Sequence, residues 1–544
     1  MKTTILGTVS LAALLLATTP AFADGNKTTI TQIGGATNTA TADQTGESAD
    51  GVVTITQGNA LSTDKNNSAT ATQTGSANTS TINQKGAIFL AAHDNTATVN
   101  QTGTGNQSTV TQASVLASLH PLAVAEAAQN NSSTVQQDGT NGVVKTTQSG
   151  DTNSSNVNQG VYTFGAAATV LQSDGNNTAK VTQQYIYTAN GTSATINQVS
   201  GSTWNKATIN QSDRGTNATG NTAEIDQTAF STGNTAGINQ GGSHSKAHIT
   251  ETLSTNSDAD IEQLGTTGGE ATVTQTGTSN HALDYSRGTG AAVADMNQNG
   301  TNNLAWLEQE GDADSSKIDQ SRLGGFGAVS NNTAIVYQTG SSDVSTIAQS
   351  GNNDSAGHVW VQASGITQSG LNDNSALTQS GNFDTASATQ TNVNDWATVK
   401  QTGNTDSSTV SQTGAHDGDG TLNAYGIGST SVYQNGDNET SSLTQSGNND
   451  DAFVAQSGLG DQSTVMETGT SDGALVLQSA ASETSTVTQG GSLNLASVTQ
   501  KGASAWSSVT QTGVSGLATV TQNGASAWSM VTQGGSSNVA TVKQ

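Results

Sequence analysis

The chain has 544 residues, of which only 10% are charged and 4% aromatic, with 62 Gly, 2 Pro and no Cys. So few large apolar side chains exclude an ordinary globular core, and the lack of Cys excludes a disulfide framework. A formal net charge of −26 argues against nucleic acid or anionic lipid as a partner.

Residues 1–23 read as a secretory signal peptide. Lys2 supplies the positive start, residues 5–17 the apolar stretch, and Ala21-Phe22-Ala23 the small-residue cleavage site. The mature chain is expected to begin at Asp24 and to be secreted from a bacterium to the cell surface or beyond. The apolar stretch is short for a membrane span, which takes about 20 residues. No later segment qualifies, so the chain is not expected to span a membrane.

Residues 24–367 carry a loosely spaced unit that ends on Gln, starting with Thr28-Thr29-Ile30-Thr31-Gln32. Gln73 and Gln84, Gln101 and Gln112, Gln137, Gln148 and Gln159, and Gln298, Gln309 and Gln320 keep a spacing of 11. Other gaps are longer, and their extra residues read as turn insertions. Two larger interruptions are expected, at 113–135 and 276–297. The first contains the apolar stretch 114–128 with Pro121, which suits a loop or short helix.

Residues 368–544 are regular. Gln stands at Gln368, Gln379, Gln390, Gln401, Gln412, Gln434, Gln445, Gln456, Gln478, Gln489, Gln500, Gln511, Gln522, Gln533 and Gln544, all on one ruler with the same step as above. Two marks depart, Asn423 and Glu467. Two residues after Gln comes Gly370, Gly381, Gly403, Gly414, Gly436 or Gly447, which would permit a tight bend. Seven residues on is Ala or Ser, and nine on is Val or Leu. These offsets share a strand face with the next Gln. Each unit is therefore one short strand and one turn.

The segment KGASAWSSVTQ from Lys501 returns as NGASAWSMVTQ from Asn523, so the full period is two steps of the ruler. Trp396, Trp506 and Trp528 fall on the same alternate units by this ruler and point away from the apolar face. The predicted fold is all-β: a repeat β-solenoid with two-arm rungs of about 22 residues, parallel stacked sheets and loop insertions. Each Gln would lie about 4.8 Å from its equivalent and join an amide ladder.

This unit resembles the curlin repeat of curli fibre subunits. Gln489-Gly490-Gly491-Ser492-Leu493-Asn494-Leu495-Ala496-Ser497-Val498-Thr499-Gln500 matches it, as does Gln533 to Gln544 with Gly535, Asn538 and Ala540. The resemblance implies a secreted β-solenoid subunit of an extracellular amyloid, active in adhesion and biofilm matrix. Its partners would be further copies, other curli-like subunits and surface ligands. The chain departs from the family in its length, in lacking a visible Gly-rich leader before Thr28, and in acidic residues at the Asn place. Those residues are Asp373, Asp384, Asp395, Asp406, Asp417, Glu439, Asp450, Asp461, Asp472 and Glu483. Charge places them at the bend, facing solvent. They would form a solvated edge, a restraint on lateral aggregation, or calcium ligands.

Other chemistry is thin. Asp417-Gly418-Asp419-Gly420 opens like a calcium loop but lacks its later ligands. His244 and His248 share a strand face with no third metal ligand in view. Gly469-Thr470-Ser471-Asp472-Gly473 matches a nucleophile motif literally, yet sits on a repeat turn. No catalytic, metal or cofactor site is expected, and no enzyme. Trp396, Trp506 and Trp528 are candidates for surface contact. The alternative function is a monomeric β-solenoid adhesin or a ligand- or ice-binding rod, suggested by the outward pair Thr519 and Thr521.

Overall fold

The computed structural model describes residues 26–33, 38–44, 50–58, 66–85, 95–113, 130–138, 140–160, 163, 165–184, 192–212, 220–287, 290–321, 329–352, 355–356, 365–418 and 429–544. The signal-peptide segment and the stretch 114–128 lie outside them. Among the described residues every regular element is a strand. Thr- and Val-rich segments with a period of two, such as LATVTQ at Leu517–Gln522, alternate buried and half-buried positions. The chain forms two compact units, Met1–Ser279 and Asn280–Gln544.

In the N-terminal unit, successive strands alternate between two parallel sheets. Lys27–Gln32 pairs with Val52–Gln57 and that strand with Thr79–Lys85. Thr39–Gln44 pairs with Ser68–Ser76 and then Thr96–Thr104 in the second sheet. The rungs are uneven. Gln137 meets Gln159 at a sequence separation of 22, whereas Gln101 meets Gln137 at a separation of 36. The strands that carry them stay in register throughout, with Ser132 opposite Ser154 and Thr96 opposite Ser132. Extra residues are kept out of the inward-facing segments that end on Gln, because a one-residue slip there would turn the whole inward face outward; register shifts occur just past them, between Gly241 and Ser243 and between Glu251 and Ser254.

The C-terminal unit has the same plan and keeps the 22-residue period over long stretches. Leu495–Gln500 pairs with Leu517–Gln522, and Trp506–Gln511 lies between Thr484–Gln489 and Trp528–Gln533. One stretch breaks the ruler. Gln401 pairs with Gln434 and Gln412 with Gln445, each at a sequence separation of 33. One extra step of the ruler preserves the spacing of Gln while shifting its phase. The mark at Asn423 falls in this inserted chain, outside the described residues.

Two expectations are corrected here. Trp396 does not share a sheet with Trp506 and Trp528, because the insertion exchanges the two arms. The interruption expected at 276–297 contains a regular strand, His281–Ser286, in register with Leu304–Gln309. Its Ala282 and Asp284 are buried at the Ala and Val places. Asp at the Val place and Ser at the Gln place hid it from the pattern.

The core lies between the sheets and is narrow. Ala496, Val498 and Gln500 are all fully buried, and the same trio recurs from rung to rung. The bend is built differently from the expectation. The residue four after Gln takes the left-handed conformation: Asn372, Phe383, Thr405 and Asn449 have φ of 59°, 63°, 63° and 58°. Gly370, Gly381, Gly403, Gly414, Gly436 and Gly447 do not. They are needed for close approach, since a Cβ at any of them would overlap a backbone carbonyl oxygen of the next rung. At Gly381 the obstacle is the Gly403 oxygen, and at Gly403 the Gly436 oxygen.

Candidate functional site

The inward Gln residues form continuous hydrogen-bonded ladders. In the C-terminal unit one ladder runs from Gln298 through Gln379, Gln401, Gln434, Gln456, Gln478, Gln500 and Gln522 to Gln544. Each Nε2 donates to the next Oε1, for example Gln478 to Gln500 at 2.9 Å and Gln500 to Gln522 at 2.9 Å. The facing ladder carries Gln368, Gln390, Gln412 and Gln445, then Gln489, Gln511 and Gln533. The N-terminal unit has two ladders of its own, from Gln32 to Glu251 and from Gln44 to Gln263. Every ladder Gln predicted from 368 to 533 is buried, and Gln544 is exposed.

An amide has two N–H donors, and the second has a role that spacing alone does not reveal. In most of these Gln residues it crosses the core to a backbone carbonyl at the start of the facing strand, at a sequence separation of 16 where the turn is short and more where it is long. Gln500 donates to Thr484 O at 3.0 Å, Gln489 to Gly473 O at 3.1 Å and Gln148 to Ser132 O at 2.9 Å. A Gln bonded in this way links its rung to the next and one sheet to the other. Leaving such a buried group unpaired costs on the order of 1–3 kcal/mol.

Two carboxyls interrupt the ladders. Gln445 donates to Glu467 Oε2 at 2.8 Å, and Gln227 to Glu251 Oε2 at 2.6 Å. In both residues Oε1 is buried without a partner. Beyond Glu467 lies Gln489, whose Oε1 also has none. A protonated carboxyl has one donor and one acceptor, so it could continue the ladder as an amide does. An ionised one sets two acceptors against each other. Burial pushes Glu467 well above the ordinary range, with Asp450, Asp472 and Asp451 adding to the effect. Burial likewise pushes Glu251 up to about 8.

The acidic bend residues overturn the solvent-facing expectation. Asp373, Asp384, Asp395, Asp406, Asp417, Glu439, Asp450, Asp461, Asp472 and Glu483 are all buried. Five residues after Gln has the same parity as seven, nine and eleven, so strand alternation turns them inward. In each of the eight Asp residues, though not in Glu439 or Glu483, one carboxylate oxygen accepts a backbone N–H from the next rung. Asp395 N–H donates to Asp373 Oδ1 at 3.1 Å, and Asp472 N–H to Asp450 Oδ1 at 3.0 Å. In Asp384 and Asp461 the other oxygen accepts an N–H of the residue's own turn, from Gly381 at 3.2 Å and Gly458 at 3.1 Å, whereas in Asp373, Asp395, Asp406, Asp417, Asp450 and Asp472 it is buried without a partner.

Asn occupies this place where the turn peptide is reversed. Gly491 has φ of 121°, and Asn494 Nδ2 donates to Gly513 O at 3.1 Å. Gly75 has φ of 111°, and Asn78 Nδ2 donates to Thr74 O at 3.3 Å and Gly103 O at 3.0 Å. At Asp384 and Asp461 a carboxylate meets an N–H, and at Asn494 and Asn78 an amide meets a carbonyl. Burial pushes Asp384, Asp395, Asp406 and Asp450 up to about 6, Asp373 and Glu439 to about 7 and Asp417 to about 8. Stacked neighbours raise several further, while the backbone N–H groups pull them down. Part of the acidic column therefore holds protons at neutral pH.

Of the predicted contact residues, Trp506 and Trp528 stack with ring centroids 5.2 Å apart and planes 7° from parallel. Trp528 is 60% exposed and Trp396 44%, but Trp396 stands on the other sheet. No family model matches the chain, and no curated protein is significantly similar to it. The likeness to curlin repeats rests on the residues themselves.

Proposed function

We propose that the chain is a secreted structural subunit of a curli-like extracellular amyloid fibre, serving cell adhesion and biofilm matrix. The observation that carries this reading is the unbroken ladder from Gln298 to Gln544 in parallel, in-register rungs. A rung built this way presents on each side the donors and acceptors that another copy needs. The curlin-like unit adds the likeness to known fibre subunits, and the signal peptide adds export. The implied partners are further copies of the chain, other curli-like subunits and surface ligands. Stacked Trp506 and Trp528 offer an apolar, flat surface for the last of these.

The test is seeding. Purified mature chain should form thioflavin-positive fibres, and fragments of those fibres should abolish the lag of fresh protein. A chain that stays monomeric at every pH and concentration tried would rule the proposal out in favour of a solitary rod.

A further inference from the structure

His248 has no metal partner along its own strand, and His244 is not gathered with it. The neighbouring strand supplies what the sequence order conceals. In the N-terminal unit, Thr222–Thr228 and Lys246–Thr255 are parallel neighbours, with Glu224 directly opposite His248 and Asp226 opposite Thr250. Glu224 and Asp226 are two residues apart and share the outer face with His248. One ligand atom from each of the three can be chosen so that all lie within 4.8 Å of one another. His248 Nε2 is 3.2 Å from Asp226 Oδ2 and 3.2 Å from Thr250 Oγ1.

We propose that Glu224, Asp226 and His248 form a surface site for a divalent transition metal of the zinc class. One imidazole and two carboxylates make a borderline donor set that suits zinc better than calcium. A tetrahedral ion with bonds of about 2.0–2.2 Å holds its ligand atoms roughly 3.3–3.6 Å apart. The His248–Asp226 separation is close to this already, and the long Glu224 side chain can swing in. Asp226 is oriented from outside the trio: Asn197 Nδ2 donates to its other oxygen at 2.7 Å. Such support of a ligand is what metal sites require. The outward positions flanking the trio are Thr195, Asn197, Thr250 and Thr272, with Lys246 as the cation two residues before His248. The fourth position is open to water. Without metal, the Asp226 carboxylate holds the His248 ring above its ordinary range, so a metal ion must displace a proton there.

Cobalt is the probe, because a tetrahedral Co²⁺ site with nitrogen and oxygen ligands absorbs visible light. Full-length chain titrated with Co²⁺ at pH 7.5 should gain one visible-absorbing site per chain, bleached by one equivalent of Zn²⁺ and untouched by excess Ca²⁺. H248Q and D226N should each abolish the signal while keeping the wild-type far-UV spectrum, since both residues are surface-facing. H416Q, at a bend of the C-terminal unit, should leave it intact. No visible band, or a band that survives in folded H248Q, would overturn the site.

Discussion

Glu467 stands where the ladder calls for Gln, and replacing it with Gln should stabilise the C-terminal unit in a pH-dependent way. The ordinary value for this carboxyl is 4.5, and burial raises it well above that in the fold. A raised folded value gives full stability below 4.5 and loses it as pH rises towards the folded value. Above the ordinary value the fold must either keep a proton that the unfolded chain releases, or set an ionised carboxylate in the ladder with Glu467 Oε1 and Gln489 Oε1 both buried and unpartnered. Leaving buried polar atoms unpaired costs on the order of 1–3 kcal/mol. Glu467→Gln removes the cost, because an amide needs no proton to donate to Gln489 Oε1. The assay is hydrogen exchange of the amides in Thr440–Gln445 and Thr484–Gln489, the strands on either side. Relative to wild type, protection should rise about 5- to 100-fold at pH 7, the equivalent of about 1–3 kcal/mol. At pH 4 the two proteins should be nearly equal. Equal protection at pH 7, or a gap of the same size at pH 4, would refute the reasoning.

The same logic applies in the N-terminal unit, where Glu251→Gln should stabilise by about 3 kcal/mol at pH 7 and little at pH 4, measured by denaturant titration. Asn494→Asp places a carboxylate oxygen where Nδ2 now donates to Gly513 O. It should cost about 1–3 kcal/mol or more at pH 7 and recover at pH 4, when the protonated oxygen can donate to the same carbonyl; thermal melts at the two pH values decide it. The whole acidic column works in one direction: stability should be greatest near pH 4 and fall through pH 8, the span between ordinary carboxyl values and the raised value of about 8 at Asp417. A thermal midpoint that is flat or rises over that range at constant salt would contradict the burial of these groups.

Much of the architecture was legible in the sequence because strand parity and spacing are linear properties. The regular march of Gln, the Ala and Val at offsets seven and nine, and the echo around Trp506 and Trp528 all lead to two-arm rungs. Three features were not legible for physical reasons. Charge outweighs parity in a reading of Asp373 and its equivalents, although an offset of five carries the same inward signal as seven. What makes a carboxylate tolerable there is the direction of a turn peptide, which composition does not display. The insertion before Gln434 equals one step of the Gln ruler and is invisible to it, so the ruler puts Trp396 on the wrong arm. Finally, His248 meets Glu224 and Asp226 only through strand pairing, with the strand Thr235–Ser243 of the other sheet between them in the chain. The second N–H of each Gln was likewise hidden, because the carbonyl it reaches belongs to the facing sheet.

X-ray diffraction from aligned fibres of the mature chain, grown from seeds, tests the central claim most directly. Stacked rungs joined by amide ladders predict a sharp meridional reflection at about 4.8 Å and an equatorial one near 10 Å. Fibres without the 4.8 Å meridional reflection, or a chain that yields no fibres under any condition, would contradict it.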